Sequence, residues 1–166
     1  MIKIGLGKAL GFSLLAFIGL NFLFIIIAET INGSLPILFS DISSDPLTII
    51  TILFAPLIYL PGNIIMSIYS QISFGTIDAS LIRFVGFLVS PFVAALVAGR
   101  TGESKGGSFG GWMIAALISS AAWGVLAFLY PNPNPIILLI GFMLNGLVYG
   151  IFYGCFALLF SKSEMY

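Results

Sequence analysis

A five-residue stretch in the second half of the chain has the spacing of a catalytic motif. Residues 106–110, Gly-Gly-Ser-Phe-Gly, fit the G-x-S-x-G pattern of serine hydrolases, in which a serine hydroxyl attacks a carbonyl carbon. That attack needs a base, usually histidine, to remove the hydroxyl proton. The chain contains no histidine, and the stretch lies between two hydrophobic runs. We therefore interpret residues 99–111 as a flexible loop and Ser108 as unreactive.

Metal and cofactor chemistry lacks its usual ligands as well. Zinc sites combine several cysteine and histidine side chains, whereas Cys155 is the only cysteine and lies within an apolar run. The acidic and basic residues fall near the ends of the hydrophobic runs, so a buried proton relay is not predicted. The formal net charge is zero, without a basic cluster for nucleic acid. We predict a non-catalytic protein with no metal, no cofactor and no nucleic-acid partner.

Polar and helix-breaking residues inside the hydrophobic runs remain as candidates for a binding site. They are Pro61, Gly62, Asn63, Ser120, Asn145, Tyr149 and Tyr153. Two interpretations fit them. The side chains could hydrogen-bond between helices and hold a bundle together. Alternatively, the backbone broken by Pro61-Gly62-Asn63 could bind a small molecule, as broken helices do in many transporters.

The composition shows which elements must position these residues. Hydrophobic residues make up 60% of the chain and charged residues 7%, whereas globular domains average about 25% charged residues. Residues 9–28, 80–98, 112–130 and 136–160 are each long enough to cross a hydrocarbon core of about 30 Å. The sequence therefore predicts an all-α integral membrane protein with residues 1–166 in one multi-pass domain. We expect a bundle of four to five transmembrane helices in a lipid bilayer.

Residues 48–71 decide between four and five spans, because Pro56 and Pro61 interrupt this hydrophobic run. If the segment crosses once, the basic residues divide between both sides of the membrane. If it enters and returns, five of them share one side: Lys3, Lys8, Arg100, Lys105 and Lys162. Only Arg83 then lies opposite. Because basic residues concentrate on the cytoplasmic side, the pattern favours a broken, re-entrant segment and a cytoplasmic amino terminus at the cell membrane.

Small residues predict that the last two spans form a close hairpin. Helix-packing positions recur at intervals of four residues on residues 136–160 and are matched on residues 112–130: Gly146, Gly150, Gly154, Ala116 and Gly124. Such faces let two helix backbones approach closely in a membrane. The short turn at residues 131–135 would place Gly124 level with Gly141 and Ser120 level with Asn145.

Two functions follow from these patterns. The small-residue faces exceed what one hairpin requires, which favours an accessory or structural subunit that packs against other membrane chains or a second copy of itself. In its size and its small-residue-rich hairpin, the chain also resembles the membrane-embedded, substrate-capturing subunits of vitamin uptake transporters. That resemblance implies a transport component that binds a small molecule, here at the broken helix. No site residue is transferred through it.

Overall fold

The computed structural model describes residues 2–161, and side chains from residue 5 onward. Seven α-helices follow one another along this range. They are α1 (Ile2–Asn32), α2 (Leu35–Ser44), α3 (Thr48–Leu53), α4 (Pro61–Ser73), α5 (Ala79–Thr101), α6 (Lys105–Leu129) and α7 (Pro135–Leu159). A 3₁₀ turn, Ala55–Ile58, separates α3 from α4. The predicted all-helical fold class is confirmed.

Four of these helices are long and apolar enough to cross a membrane. The spans are Gly5–Asn32, Ala79–Thr101, Lys105–Leu129 and Pro135–Leu159. Their outward-facing side chains are large and apolar, as a hydrocarbon environment requires. The chain is therefore a multi-pass membrane protein. The predicted 9–28 span is extended at both ends, and the 112–130 span begins earlier than predicted.

The four spanning helices form a bundle in which α1 contacts α5 and α6, and α7 contacts the same two helices. Helices α1 and α5 run antiparallel and approach very closely. A Cβ atom at Gly86 would lie within 2.6 Å of the Phe24 ring, so this crossing needs glycine. Helices α5 and α7 run parallel, with the Phe92 and Phe156 rings 5.1 Å apart.

Helices α6 and α7 form an antiparallel hairpin. A Cβ atom at Gly146 would lie 2.7 Å from the Ser120 Cβ atom, and one at Gly154 would lie 2.6 Å from the Phe109 ring. Gly150 faces Met113 in the same way, and Gly124 faces Leu139. Ala116 is buried beside Gly146. The observed contacts pair Ser120 with Gly146 and Gly124 with Leu139. They differ by one residue from the predicted Ser120–Asn145 pair and by two residues from the predicted Gly124–Gly141 pair.

One end of the bundle, the basic end, gathers the start of α1, the α5–α6 turn and the end of α7. Lys8 Nζ lies 2.6 Å from Glu103 Oε1, joining α1 to the turn. Arg100 stands 5.9 Å from the centre of the Phe160 ring. The Lys3 side chain and Lys162, which the charge argument also used, lie outside the described residues. The opposite end contains the α1–α2 turn and the start of α5, and we call it the cavity end.

The stretch 99–111, interpreted above as a flexible loop, is mostly helical. Helix α5 continues to Thr101 and α6 begins at Lys105, capped by the Ser104 side chain, which accepts a hydrogen bond from the Gly107 amide. Glycine is needed here because a Cβ atom at Gly111 would lie 2.9 Å from the backbone of α1. Ser108 is buried and donates its hydroxyl proton to the Gly99 carbonyl at 3.2 Å. The glycines of this stretch therefore serve close packing between helices.

The segment between α2 and α5 enters the bundle and returns to the same end. Asp45, before α3, accepts a hydrogen bond from the Tyr130 hydroxyl at the end of α6. Asp78, after α4, caps the start of α5. Between them the Phe54 ring reaches Phe17, midway along α1, with ring centres 6.3 Å apart. Residues 45–78 thus form a re-entrant segment, as the charge pattern favoured.

Candidate ligand cavity beside the re-entrant segment

The tip of the re-entrant segment is the 3₁₀ turn Ala55–Ile58. It precedes Pro61-Gly62-Asn63, where the sequence predicted the break in the helix. Pro61 is the first residue of α4, where proline costs no hydrogen bond because the first helical amides have no partner. The main interruption lies at Phe54, before Pro56, which has no amide proton to continue α3. Some carbonyl groups at the tip, including that of Pro56, accept 3₁₀-type hydrogen bonds from backbone amides, whereas others have no helical partner. In a membrane interior each must find a donor.

Helices α1 and α6 supply the first two donors. The Asn21 amide donates to the carbonyls of Ile52 and Leu53, at 2.8 and 2.9 Å. The Trp123 indole N–H donates to the Phe54 carbonyl at 2.9 Å. Asn21 is fully buried, so these bonds lie in the protein interior. They close the carbonyl end of α3, where a helix leaves its last carbonyls free.

Helix α7 supplies the other two donors, and both were predicted as candidate polar residues. The Tyr149 hydroxyl donates to the Pro56 carbonyl at 2.7 Å. The Asn145 amide donates to the carbonyls of Leu57 and Ile58, at 3.3 and 3.2 Å. Leaving a buried carbonyl without a partner costs about 1–3 kcal/mol. These contacts therefore hold an otherwise unfavourable turn inside the bundle.

The remaining candidate residues do not meet at the tip. Gly62 and Asn63 are exposed on the first turn of α4, and within the described residues the Asn63 side chain makes no hydrogen bond. Asn63 therefore does not donate to the broken backbone in the described part of the chain. Tyr153 donates instead to the Leu88 carbonyl of α5, at 3.4 Å. Ser120 is buried against Gly146, and its hydroxyl has no partner in the described part of the chain.

A cavity of about 390 Å³ lies beside the tip, toward the cavity end. Its walls come from α1, α2, α3, the 3₁₀ turn and α5. The residues lining it include Ile25, Glu29, Thr51, Ala55, Tyr59, Ser80, Arg83, Phe84 and Phe87. Exposed lining residues, such as Ser80 and Tyr59, connect the space with the protein surface. The cavity is thus a half-open cleft formed by α2, the re-entrant segment and two spanning helices.

One ion pair supplies the charges among the residues that line the cavity. The Arg83 guanidinium donates to the Glu29 carboxylate, joining α5 to the end of α1. Glu29 also accepts a hydrogen bond from the Ser34 hydroxyl, after the left-handed Gly33. The Glu29 side chain is 12% exposed and the Arg83 side chain 42%. Because the Arg83 side chain is the more exposed of the two, Arg83 presents the more accessible polar side chain.

Three aromatic rings form another part of the cavity wall. Tyr59 lies nearly parallel to Phe87 with ring centres 5.9 Å apart, and edge-on to Phe84 at 5.8 Å. Phe84 and Phe87 meet at 6.0 Å, almost perpendicular to each other. Such angled contacts are favourable for aromatic pairs and fix the direction of each ring. The cavity wall therefore holds three rings fixed at different inclinations.

Sequence reasoning missed most of this site. Glu29 and Arg83 were recognised only as charges near span ends, and their spacing of 54 residues gives no local signal. The one available clue was that Arg83 is alone on its side of the membrane, where a carboxylate partner would be favoured. Tyr59, Phe84 and Phe87 resemble any other aromatic residues of a membrane helix.

No family model, curated protein or solved structure matches the chain. The fold and the site therefore define the class: a helical multi-pass membrane protein with a re-entrant segment and a half-open cavity beside its tip.

Proposed function

We propose that this protein is a membrane-embedded capture component that binds a small molecule in the cavity beside the re-entrant segment. The cavity itself carries the proposal, because its volume of about 390 Å³ falls within the ~300–1,000 Å³ typical of small-molecule sites. Its lining combines apolar rings with a few fixed polar groups, which is the usual chemistry of such sites. A tip built from broken backbone is also where many transporters bind their substrates.

The interior of the bundle favours capture of a molecule over its passage through a continuous channel. On the basic side of the tip, the rings of Phe17 and Trp112 meet at 6.2 Å, and those of Trp112 and Tyr153 at 6.1 Å. All three residues are almost completely buried. A molecule in the cavity would therefore reach a closed floor, and its release across the membrane would require a rearrangement or a partner chain. Catalysis is not part of the proposal, since Ser108 is buried and the chain has no histidine.

Mass spectrometry of the protein purified in lipid nanodiscs tests the proposal, because a captured molecule should co-purify at a fixed ratio. The variant Ala55→Leu adds bulk to the cavity wall and should remove that molecule. Gly141→Leu is the matched control, since it adds bulk where the space around the Cβ position is empty. Equal amounts of the molecule in both variants would argue that it is bound elsewhere.

A second candidate is the accessory or structural subunit that the small residues predicted. It is favoured by Gly7, Gly11 and Gly19 on α1, which are exposed and have open space around their Cβ positions. An exposed glycine face allows another helix to approach closely. Under this proposal Gly11→Leu should dissociate a partner chain during purification, whereas Gly141→Leu should not. Loss of the small molecule without loss of a partner would favour capture.

We also propose that the basic end faces the cytoplasm at the cell membrane. The support is the charge distribution: Lys8, Arg100 and Lys105 lie at that end, whereas Arg83 lies at the other and is paired with Glu29. Basic residues near span ends concentrate on the cytoplasmic side. The cavity would then receive its occupant from outside.

A further inference from the structure

We propose that the cavity selects an uncharged, planar ring compound that carries a hydrogen-bond acceptor. This inference rests on the proposed capture function and specifies the chemistry of the captured molecule. It follows from three properties of the wall. They are the arrangement of its aromatic rings, the overall neutrality of the Arg83–Glu29 ion pair, and the Arg83 N–H donors that do not bind Glu29.

The rings favour a flat occupant. Tyr59 and Phe87 are inclined by only 23°, whereas Phe84 stands at 78° to Tyr59. A planar ring placed in the cavity can therefore stack on one side chain and receive the edge of another, the two geometries that aromatic groups prefer. Tyr59 is exposed, so part of its ring is free to make this contact. A branched aliphatic compound could fill the space but would gain neither geometry.

The ion pair favours an uncharged occupant. Arg83 contributes one positive charge and Glu29 one negative charge, and the two are in direct contact. An anion near Arg83 would also approach Glu29, and a cation near Glu29 would approach Arg83. Either would bring an uncompensated charge into a partly apolar cavity, which is unfavourable. A neutral compound avoids this cost.

The remaining hydrogen-bonding capacity favours an acceptor on the ligand. A guanidinium has five N–H donors, and Arg83 gives a hydrogen bond to Glu29. Glu29 is already occupied by Arg83 and Ser34. Other N–H groups of the guanidinium, among them the buried Nε–H that has no partner in the described part of the chain, can therefore donate to a carbonyl oxygen or a ring nitrogen. The covered carboxylate offers much less to a ligand donor.

A matched set of indole compounds tests the ligand class with the full chain in nanodiscs. Indole-3-acetamide is neutral with a carbonyl acceptor, indole-3-acetate is its anionic counterpart, and tryptamine is the cationic one. Cyclohexylacetamide keeps the amide and lacks the planar ring. Equilibrium dialysis against empty nanodiscs should give saturable binding of indole-3-acetamide, at least tenfold tighter than that of the other three.

Variants locate that binding in the cavity. Phe84→Leu should weaken indole-3-acetamide binding at least tenfold, and Phe84→Tyr, which keeps a ring, should restore most of it. Phe128→Leu is the control, because Phe128 is an exposed residue of α6 outside the cavity. The thermal midpoint of each variant separates weakened binding from lost folding.

The possible failures of the two proposals are distinct. Tighter binding of the acetate or of tryptamine would overturn the uncharged class, and equal binding of cyclohexylacetamide would overturn the planar ring. Capture itself would survive both results. Absence of saturable indole-3-acetamide binding would overturn the ligand class. If, in addition, no small molecule co-purified with the unmodified protein, the capture function would fail as well.

Discussion

Tyr149 donates a hydrogen bond to Pro56 in the centre of the bundle, where water cannot replace it. Tyr149→Phe removes only the hydroxyl and leaves the Pro56 carbonyl with a single donor, the backbone amide of Tyr59. We expect a loss of about 0.5–1.5 kcal/mol in the free energy of unfolding, measured by thermal denaturation in nanodiscs. Tyr69→Phe is the matched control, because Tyr69 is exposed on α4. Equal thermal midpoints for the two variants would show that the hydroxyl does not support the tip.

Two asparagines, one bonded to the tip and one exposed, allow a second comparison of stability. Asn145 donates to two tip carbonyls, whereas Asn63 is exposed. We expect Asn145→Leu to destabilise the protein by about 1–2 kcal/mol. Asn63→Leu should raise the thermal midpoint slightly, since it removes a polar amide from an apolar environment. If the thermal midpoint fell as much for Asn63→Leu as for Asn145→Leu, the placement of α4 would be contradicted.

For individual residues, the sequence revealed which side chains were unusual but not which partners they contact. Asn145 and Tyr149 stood out because polar groups inside a membrane are costly and must have partners. Asn63 stood out for the same reason, yet it sits on the exposed side of its helix. The pairing depends on which face of α4 is covered, and a short helix with a mixed surface does not indicate that. The Glu29–Arg83 pair was hidden in the same way, because its partners come from different helices.

Among the elements, the α6–α7 hairpin depends on glycine at the points of closest approach. Gly146→Ala would place a methyl group against Ser120, and we expect it to cost about 1–3 kcal/mol by forcing the helices apart. Gly141→Ala on the same helix meets open space and should be neutral or stabilise by up to about 1 kcal/mol. Thermal midpoints of the two variants give the comparison. If the thermal midpoints of both variants rose, the two helices would be less closely packed at Gly146 than the structure shows.

The long helices were predictable because twenty apolar residues in succession report a membrane crossing almost directly. The level of the α6–α7 hairpin was predictable to within one or two residues, since the turn is short and the small residues repeat. The boundaries near residues 99–111 were not, because glycine and serine favour loops in general and close helix contacts in membranes. The position of the re-entrant tip was also hidden, since the donors that stabilise it belong to other helices.

For the whole molecule, the re-entrant segment makes a clear prediction about sidedness. Single cysteines at Ser44 and Ser73, in a Cys155→Ser background, should react with an impermeant maleimide from the same side of the membrane. A cysteine at Gly106 should react only from the other side. All three positions are exposed at the ends of the bundle. Labelling of Ser44 and Ser73 from opposite sides would mean that residues 45–78 cross the membrane.

The hydrogen bonds at the tip also constrain the order in which the chain is assembled during synthesis. The donors Trp123 and Tyr149 follow their acceptors by 69 and 93 residues. At about 5–20 residues per second, the ribosome needs roughly 5–20 s to add 93 residues. Until then several tip carbonyls, including those of Leu57 and Ile58 that bind Asn145, would lack a donor in the hydrocarbon core, so residues 45–78 should wait at the membrane surface. A nascent chain that ends at Tyr130 should therefore leave Pro56 open to aqueous reagents, and only the emergence of α7 should draw it inward.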